Sequence, residues 1–415
     1  MLYKTITGKD GYAVATISGF HPEAASHPGA TTGTSADIPP IDVATDAAAE
    51  TTHKTGICEY QLMIRITKGD LSFDGQLKAV FGFFREIHEK ELNHATITFL
   101  RFFLSDAANQ VKPLSDYLPE NKNNISIVEQ PPLDGSKIAL WAYLQTGMET
   151  SGNLSSSGLY ALQHGEYTHL WTGTAIKRDG DSERQMHALL NDYKMQLKKH
   201  DCTLAGNCIR TWIYVQNIDV NYAGIVKARR ELFAENGLTE KTHYISSTGI
   251  SGRHADSKIS VLFDAYAVKG IRPEQIRYLH ARTHLNPTHE YGVTFERGTC
   301  VYYGDRRHVF ISGTASIDNQ GKIAHEGDVG RQTVRMIENV GALLKEAECS
   351  FDDVAHIIVY LRDIADYANI RTVMEQQFPE IPMIIVLAAV CRPGWLVEME
   401  CFAVKNDHNN HFASL

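Results

Sequence analysis

The sequence predicts an α+β fold made of three diverged copies of one αβ unit, closed on one another as an intramolecular pseudo-trimer. Three observations predict it. The first is an order of elements that recurs three times: a strand pair, a helix with a Gln in its first turns, an aromatic and β-branched strand, a second helix and an alternating closing strand. The second is spacing. Gln76 to Phe103 spans 27 positions, Gln185 to Tyr214 spans 29, and Gln332 to Tyr360 spans 28. The third is periodicity. Leu77, Val80, Phe81 and Phe84 in the first copy, and Val334, Ile337, Val340 and Leu344 in the third, recur at helical intervals, so each helix has one face to bury on a sheet.

The elements follow in order. The helices are read from FDGQLKAVFGFFREIHEKEL, SERQMHALLNDYKMQLKKHDC and VGRQTVRMIENVGALLKEAEC, and the strands after them from ATITFLRFFL, IRTWIYV and IIVYL. β-Branched and aromatic residues favour strands, and strands interleaved with helices make a layered α+β unit. The boundaries read from these patterns are an N-terminal arm at 1–55, partly irregular, units at 56–147, 156–268 and 292–405, a linker at 269–291 and a tail at 406–415. The Ala, Thr, Pro and Asp-rich stretch at 21–55 has no period and few large apolar residues, the composition of a loop.

Composition narrows the function classes. The apolar fraction is 43% and the net charge is −9, from 40 basic and 49 acidic residues. Nucleic-acid binding calls for a basic excess or stripe, and neither is present, so no nucleic-acid partner and no nuclease chemistry is expected. Seven cysteines are scattered without C-x-x-C spacing, which argues against a structural zinc site or a disulfide framework. His280, His284 and His289 have spacings of four and five, but Asn286 and Pro287 interrupt the segment, so no metal is expected. No apolar run approaches the roughly 20 residues of a membrane helix. The expectation is a cytoplasmic protein with no membrane partner and no cofactor, a monomer or low-order oligomer acting on a small anionic substrate.

ISGTASIDNQGKIAHEGD followed by QTVRMIENVGALLKEAECSFDDVAHIIVYLRD resembles the RidA (YjgF) superfamily over about residues 309–404. The second copy, with WTGTA at 171–175, is similar but weaker, and the first weaker still. RTWIY (210–214), STGISG (247–252), NPTHEYGVTFERG (286–298), ISGTASI (311–317) and the terminal VEMECFAV resemble the chorismatase branch in combination. The superfamily resemblance implies ligand clefts between units, and the chorismatase resemblance implies hydrolysis of the enolpyruvyl ether of chorismate. RidA deaminases carry an arginine in the strand before the last; Ile384 stands at about that position here. That departure weighs against the alternative reading, a RidA-type enamine or imine deaminase. A third reading is a non-catalytic small-molecule binder.

The residues themselves permit the hydrolase chemistry. Alternation along a strand puts Glu398 and Glu400 on one face, with Val397, Met399 and Cys401 on the other. The aligned positions are Leu262 and Asp264 in the second copy, and Ala139 and Trp141 in the first, so only the third offers Glu at the first position. Enclosed beside apolar walls, Glu398 would keep its proton near neutral pH and serve as a general acid; the resemblance assigns it the same role. A solvated edge face is the bland reading. Glu400 shares the site face.

A dianion needs arginines, and the candidates are Arg210, Arg229 or Arg230 on one helix, Arg297 and Arg371. Of the helix pair Arg230 is carried forward as a substrate contact; an arginine on a helix is as readily solvated. Arg210, Trp212 and Tyr214 share a face, which suits core packing as well as a ring-binding wall. Gly249 brings backbone close to a ligand or makes a tight turn. Tyr222 bonds a substrate hydroxyl or packs at a helix start.

Overall fold

The computed structural model describes residues 1–22, 56–92, 94–119, 123–150 and 158–415. The first unit runs β1 (Leu2–Thr7), β2 (Ala13–Phe20), β3 (Glu59–Ile66), α1 (Phe73–Lys90), β4 (Thr96–Leu104), α2 (Ala107–Ser115), β5 (Ile125–Glu129) and β6 (Ile138–Gln145), with sheet order β1-β2-β3-β6-β4-β5. The second runs β7 (Glu149–Thr150), β8 (Tyr160–His164), β9 (Tyr167–Ile176), α3 (Ser182–Lys198), α4 (Leu204–Asn207), β10 (Cys208–Val215), α5 (Ile218–Glu235), β11 (Ser246–Ser251) and β12 (Val261–Lys269), with order β11-β10-β12-β9-β8-β7. The third runs β13 (Ile276–Leu279), β14 (Gly298–Tyr302), β15 (Arg306–Ala315), α6 (Val329–Glu346), β16 (Val354–Leu361), α7 (Tyr367–Gln377), β17 (Met383–Leu387) and β18 (Val397–Asn406), with order β13-β14-β15-β18-β16-β17. In each sheet one edge strand lies parallel to its neighbour, β4 with β5, β10 with β11 and β16 with β17, while the other pairings are antiparallel. The helix between the members of each parallel pair makes the crossover such a pair needs.

Two boundaries differ from the sequence reading. Residues 2–20, assigned to the arm, form two strands of the first sheet, β2 pairing with β3 from Ala13 opposite Ile66 to Phe20 opposite Glu59. Ala, Thr, Ser and Gly dominate this strand, and small residues carry little of the bulky signature that marks a strand in sequence. Likewise the linker holds β13, an edge strand of the third sheet paired with β14. The irregular stretch read at 21–55 lies outside the described residues beyond position 22.

The repeated Gln has one job in all three units. Gln76, Gln185 and Gln332 are fully buried. Their Oε1 atoms accept from the backbone N–H of Lys137 (2.7 Å), Ser260 (2.8 Å) and Leu396 (3.0 Å). Their Nε2 atoms donate to nearby carbonyls, Leu71 at 3.2 Å, Lys258 at 2.8 Å and Gly394 at 3.0 Å. Each amide thus ties the start of a long helix to the chain entering a closing strand. Each helix is also capped by a side chain at its N-terminus, Ser72, Asp181 and Asp328, which satisfies N–H groups the helix leaves open.

One face of each sheet packs on its helices; the opposite faces meet in the middle of the molecule. Phe99 of the first unit lies 4.9 Å from Trp171 of the second, Tyr266 of the second 5.6 Å from Phe310 of the third, and Trp141 of the first 4.6 Å from His356 of the third, between ring centroids. The edges close the ring in the same cyclic sense: β5 rests on β9, β11 on β15, and β17 on β3. Three units so related give the expected pseudo-threefold arrangement.

Gln332→Leu removes the clamp and leaves the Leu396 N–H and the Gly394 carbonyl without partners. Each orphaned buried group costs roughly 1–3 kcal/mol, so denaturant unfolding should show a loss of about 2–4 kcal/mol; an unchanged midpoint would contradict the clamp.

Candidate functional site

Register places the closing-strand residues as the alignment expected. The anchors Phe103, Tyr214 and Tyr360 stand opposite Ala139, Leu262 and Glu398. Only the cleft between the second and third units therefore receives an acid from its closing strand at this position. The cleft there holds about 460 Å³ of space not filled by atoms, part of it open to solvent. Its walls come from α5 and β11 of the second unit, from β15 and β18 of the third, and from the segment at 291–297.

Glu398 is 6% exposed and faces this cavity. Gly313 on β15 makes room for it: a Cβ there would sit 2.2 Å from Glu398 Oε1. No ion pair within 4 Å holds the carboxyl among the described residues. Burial pushes its pKa up to about 8, with Glu400 adding to the rise and Arg210 and Arg297 opposing it. An acid in that state holds a deliverable proton at neutral pH.

Two buried arginines line the same cavity. Arg229 is 2% exposed; its Nε donates to Thr294 Oγ1 at 3.1 Å and its Nη1 to Ser247 Oγ at 3.4 Å, while Nη2 finds no acceptor among the described residues. Arg297 donates from Nη2 to the Asn286 carbonyl at 3.1 Å and its Oδ1 at 3.2 Å, while Nε is unpaired among the described residues. The Tyr291 and Phe295 rings lie 5.3 and 5.5 Å from its guanidinium. Neither arginine has a carboxylate within 4 Å among the described residues. A buried guanidinium without an anion is costly to the fold, and it is the group that recognises a ligand carboxylate.

Of the sequence candidates, the structure brings Glu398, Arg297, Gly249 and Tyr222 together in this cavity. Gly249 sits within β11 and not in a tight turn; a Cβ there would lie 3.0 Å from the Tyr222 ring and 3.3 Å from its hydroxyl. The others belong elsewhere. Arg230 points outward and donates to the Gly292 carbonyl at 2.6 Å, whereas Arg229, one residue earlier, points in. The helix itself held that signal, because Ile225, Arg229 and Leu232 share its buried side. Arg371 is half exposed, pairs with Glu375 at 2.8 Å, and lines a separate cavity of about 300 Å³ between the third and first units, together with Ile384. Arg210, Tyr214 and Glu400 lie in the central core. There Arg210 binds Glu400 at 2.8 Å, and Tyr214 donates to Asp264 at 3.2 Å. Of the linker histidines, His280 lies 3.5 Å from Glu296 and lines a separate cavity with His289, while His284 contacts Thr283 at 2.9 Å.

Sequence reasoning did not find Tyr291, Cys391 and Trp395, which complete the walls. Tyr291 ends a single 3₁₀ turn (Thr288–Tyr291) and Cys391 and Trp395 sit in loops, where no period signals a shared face. Burial pushes the Cys391 thiol up to about 12, so it is not a thiolate nucleophile at neutral pH. Among the described residues no group of three or more His, Cys, Asp or Glu gathers as a metal site, and no helix is long and apolar enough to cross a membrane.

Fold and site together define a class: a ring of α+β units with an acid-bearing cleft between two of them. Comparisons with known proteins give it a family. The profile of the Endoribonuclease L-PSP family matches residues 300–405. A RutC family protein of Pyrococcus abyssi is 37% identical over 99 residues, 23% of this chain and 78% of the relative. The 3-aminoacrylate deaminase RutC of Acinetobacter baylyi is 32% identical over 97 residues, 23% of this chain and 77% of its own length. The chain belongs to the RidA (YjgF) superfamily. Beyond the third unit the fold is also that of a crystallised chorismatase, which aligns over 74% of this chain and 93% of its own with a TM-score of 0.57 at 17% identity.

Arg229→Met should weaken binding of small dicarboxylates about ten-fold or more, the worth of a charged hydrogen bond, read by calorimetry. Thermal stability should hold or rise, because an unpaired buried charge is removed. Unchanged affinity would exclude Arg229 from the site.

Proposed function

We propose that this protein is a hydrolase of the chorismatase type, cleaving the enolpyruvyl ether of chorismate or a closely related anion to pyruvate and an alcohol. One observation carries the reading: a buried Glu398 shares a cavity with two buried arginines that, among the described residues, lack anionic partners. The substrate class follows from that pairing. Its carboxylates supply the missing anions, and its vinyl ether needs an acid.

The reaction starts with transfer of the Glu398 proton to the methylene carbon of the enol ether. The C=C electrons form the new C–H bond, leaving an oxocarbenium-like cation on the former enol carbon. The newly ionised Glu398 lies beside that cation and stabilises it. Water adds to the cation and loses a proton, and the hemiketal collapses with cleavage of the carbon–oxygen bond to the ring. Arg229 and Arg297 hold the carboxylates, Tyr222 offers a hydroxyl donor, and the apolar walls of Val293, Phe295 and Trp395 limit water around the acid. Burial is what keeps the acid protonated, so the same walls that bind the ring prepare the catalyst.

Deamination of an enamine is the rival, since it too begins with protonation of a methylene carbon, and a relative bears the name of such an enzyme. The two part at the edge strand. Register puts Thr248 in β11 where Ile384 stands in β17, and neither supplies an arginine. The cationic groups arrive from α5 and from Arg297 instead.

Incubation with chorismate should release pyruvate in a lactate-dehydrogenase-coupled assay. Glu398→Gln should lower kcat by about 10²–10⁴-fold, the usual share of a general acid, with KM little changed. No pyruvate above that variant, with ammonia released from 2-aminoacrylate, would favour the deaminase. The pH dependence has a definite sign. The acid works protonated, so kcat/KM should be level below pH 8 and fall as pH rises through about 8, where Glu398 loses its proton.

A further inference from the structure

We propose that Glu400, two residues along the same strand face from the acid, is a positioning residue whose fixed negative charge holds the proton on Glu398 and favours the cation formed when that proton leaves. The second half of this statement rests on the hydrolase reading; the first does not. Glu400 lines no part of the cavity that holds Glu398; it lines a second one in the central core, with Arg210 and Trp212. It is 2% exposed and held by donors alone: Arg210 Nη2 and Trp212 Nε1, each at 2.8 Å, and the Thr248 hydroxyl. An ionised carboxylate, which only accepts, is the species that satisfies such a set.

The grip also reaches the acid. The Thr248 oxygen accepts from Arg210 Nη2 at 2.6 Å and from the Gly313 N–H at 2.9 Å, and Gly313 is the residue against which the Glu398 carboxyl rests. Glu400, Thr248, Gly313 and Glu398 therefore form one continuous sequence of neighbours. A displacement of Glu400 is passed to the acid, and its charge acts on the acid through a medium with little water to screen it.

The surroundings fix the sign. From β4, Arg101 approaches Glu400 at 3.8 Å and Asp264 of β12 at 3.2 Å. From β10 comes Arg210, already paired with Glu400. β16 contributes the neutral groups Tyr360 and His356, the latter held by burial at about 3, far below any working pH. On the cavity side Arg297, Arg229, Tyr222, Tyr291 and Cys391 face Glu398; Cys401 sits on the opposite face of the strand. The two core arginines are balanced by two core carboxylates. Removing the Glu400 charge leaves that centre cationic, and the cavity arginines add to it. Glu398 then has every nearby reason to ionise.

Glu400→Gln keeps the shape and an acceptor oxygen but not the charge. The test is the titration of the Glu398 carboxyl carbon by NMR in protein labelled at glutamate, with Glu398→Gln identifying the signal and no substrate present. The midpoint should fall by about one pH unit or more from its value in the unaltered protein. The alkaline limb of pyruvate release should move down by the same amount, with kcat reduced and KM nearly constant. Should Glu400→Gln fail to fold, Glu400→Asp, which keeps the charge but withdraws it, should shift the midpoint the same way by less. A folded variant whose Glu398 midpoint stays in place overturns the proposal. The two readings fail separately: a shifted NMR titration with no pyruvate from any variant sinks the hydrolase alone, and pyruvate release with an unmoved titration sinks the role of Glu400 alone.

Discussion

The candidate site depends on where the last strand of the third unit begins, and one buried amide sets that position. Gln332 holds the Leu396 N–H and the Gly394 carbonyl at once, so the chain enters β18 in a single register. Two residues later comes Glu398, opposite Tyr360 on one side and Ala315 on the other. A slip of one residue would turn the acid to the helix face and bring Val397 or Met399 to the cavity. The first and second units make the same clamp with Gln76 and Gln185, yet deliver Ala139 and Leu262 to the equivalent place. The scaffold is repeated; the acid at this position sits in one copy.

The centre of the ring shows a related asymmetry. Positions equivalent to Glu400 hold Trp141 and Asp264; two arginines are buried beside them, Arg101 pairing with Asp264 and Arg210 with Glu400. The Arg101 guanidinium lies 4.8 Å from the Trp141 ring and 4.7 Å from that of Trp212. Core carboxylates and core arginines thus neutralise one another inside an aromatic shell. Such a network is weak evidence for stability, since desolvation offsets most of its attraction. What it does supply is a fixed electrostatic setting across the unit boundary, because Arg210 belongs to the second unit and Glu400 to the third.

The cavity follows the opposite rule. Arg229 and Arg297 are buried, as the core arginines are, but have no carboxylate within 4 Å among the described residues, and Glu398 is buried with no cation within 4 Å among them. Each arrangement costs folding free energy. All of them converge on one cavity between two units, and the substrate proposed above, a small anion carrying a group to be protonated, would give the arginines their missing partners.

Much of this was present in the chain as written. The three Gln-to-aromatic spacings reported the repeat, and strand alternation alone put Glu398 and Glu400 on one face and showed that only the third copy bears the first of them. Those are local properties, fixed by the geometry of a strand and a helix. The strands β1, β2 and β13 escaped notice because small and mixed residues leave a faint pattern. The division of the arginines was settled only by tertiary structure. Whether Arg210 meets a substrate or Glu400, and whether Arg229 or Arg230 turns inward, depends on how the second unit packs on the third. Charge pairing across units joins residues almost two hundred positions apart, and no periodicity within either segment carries that information.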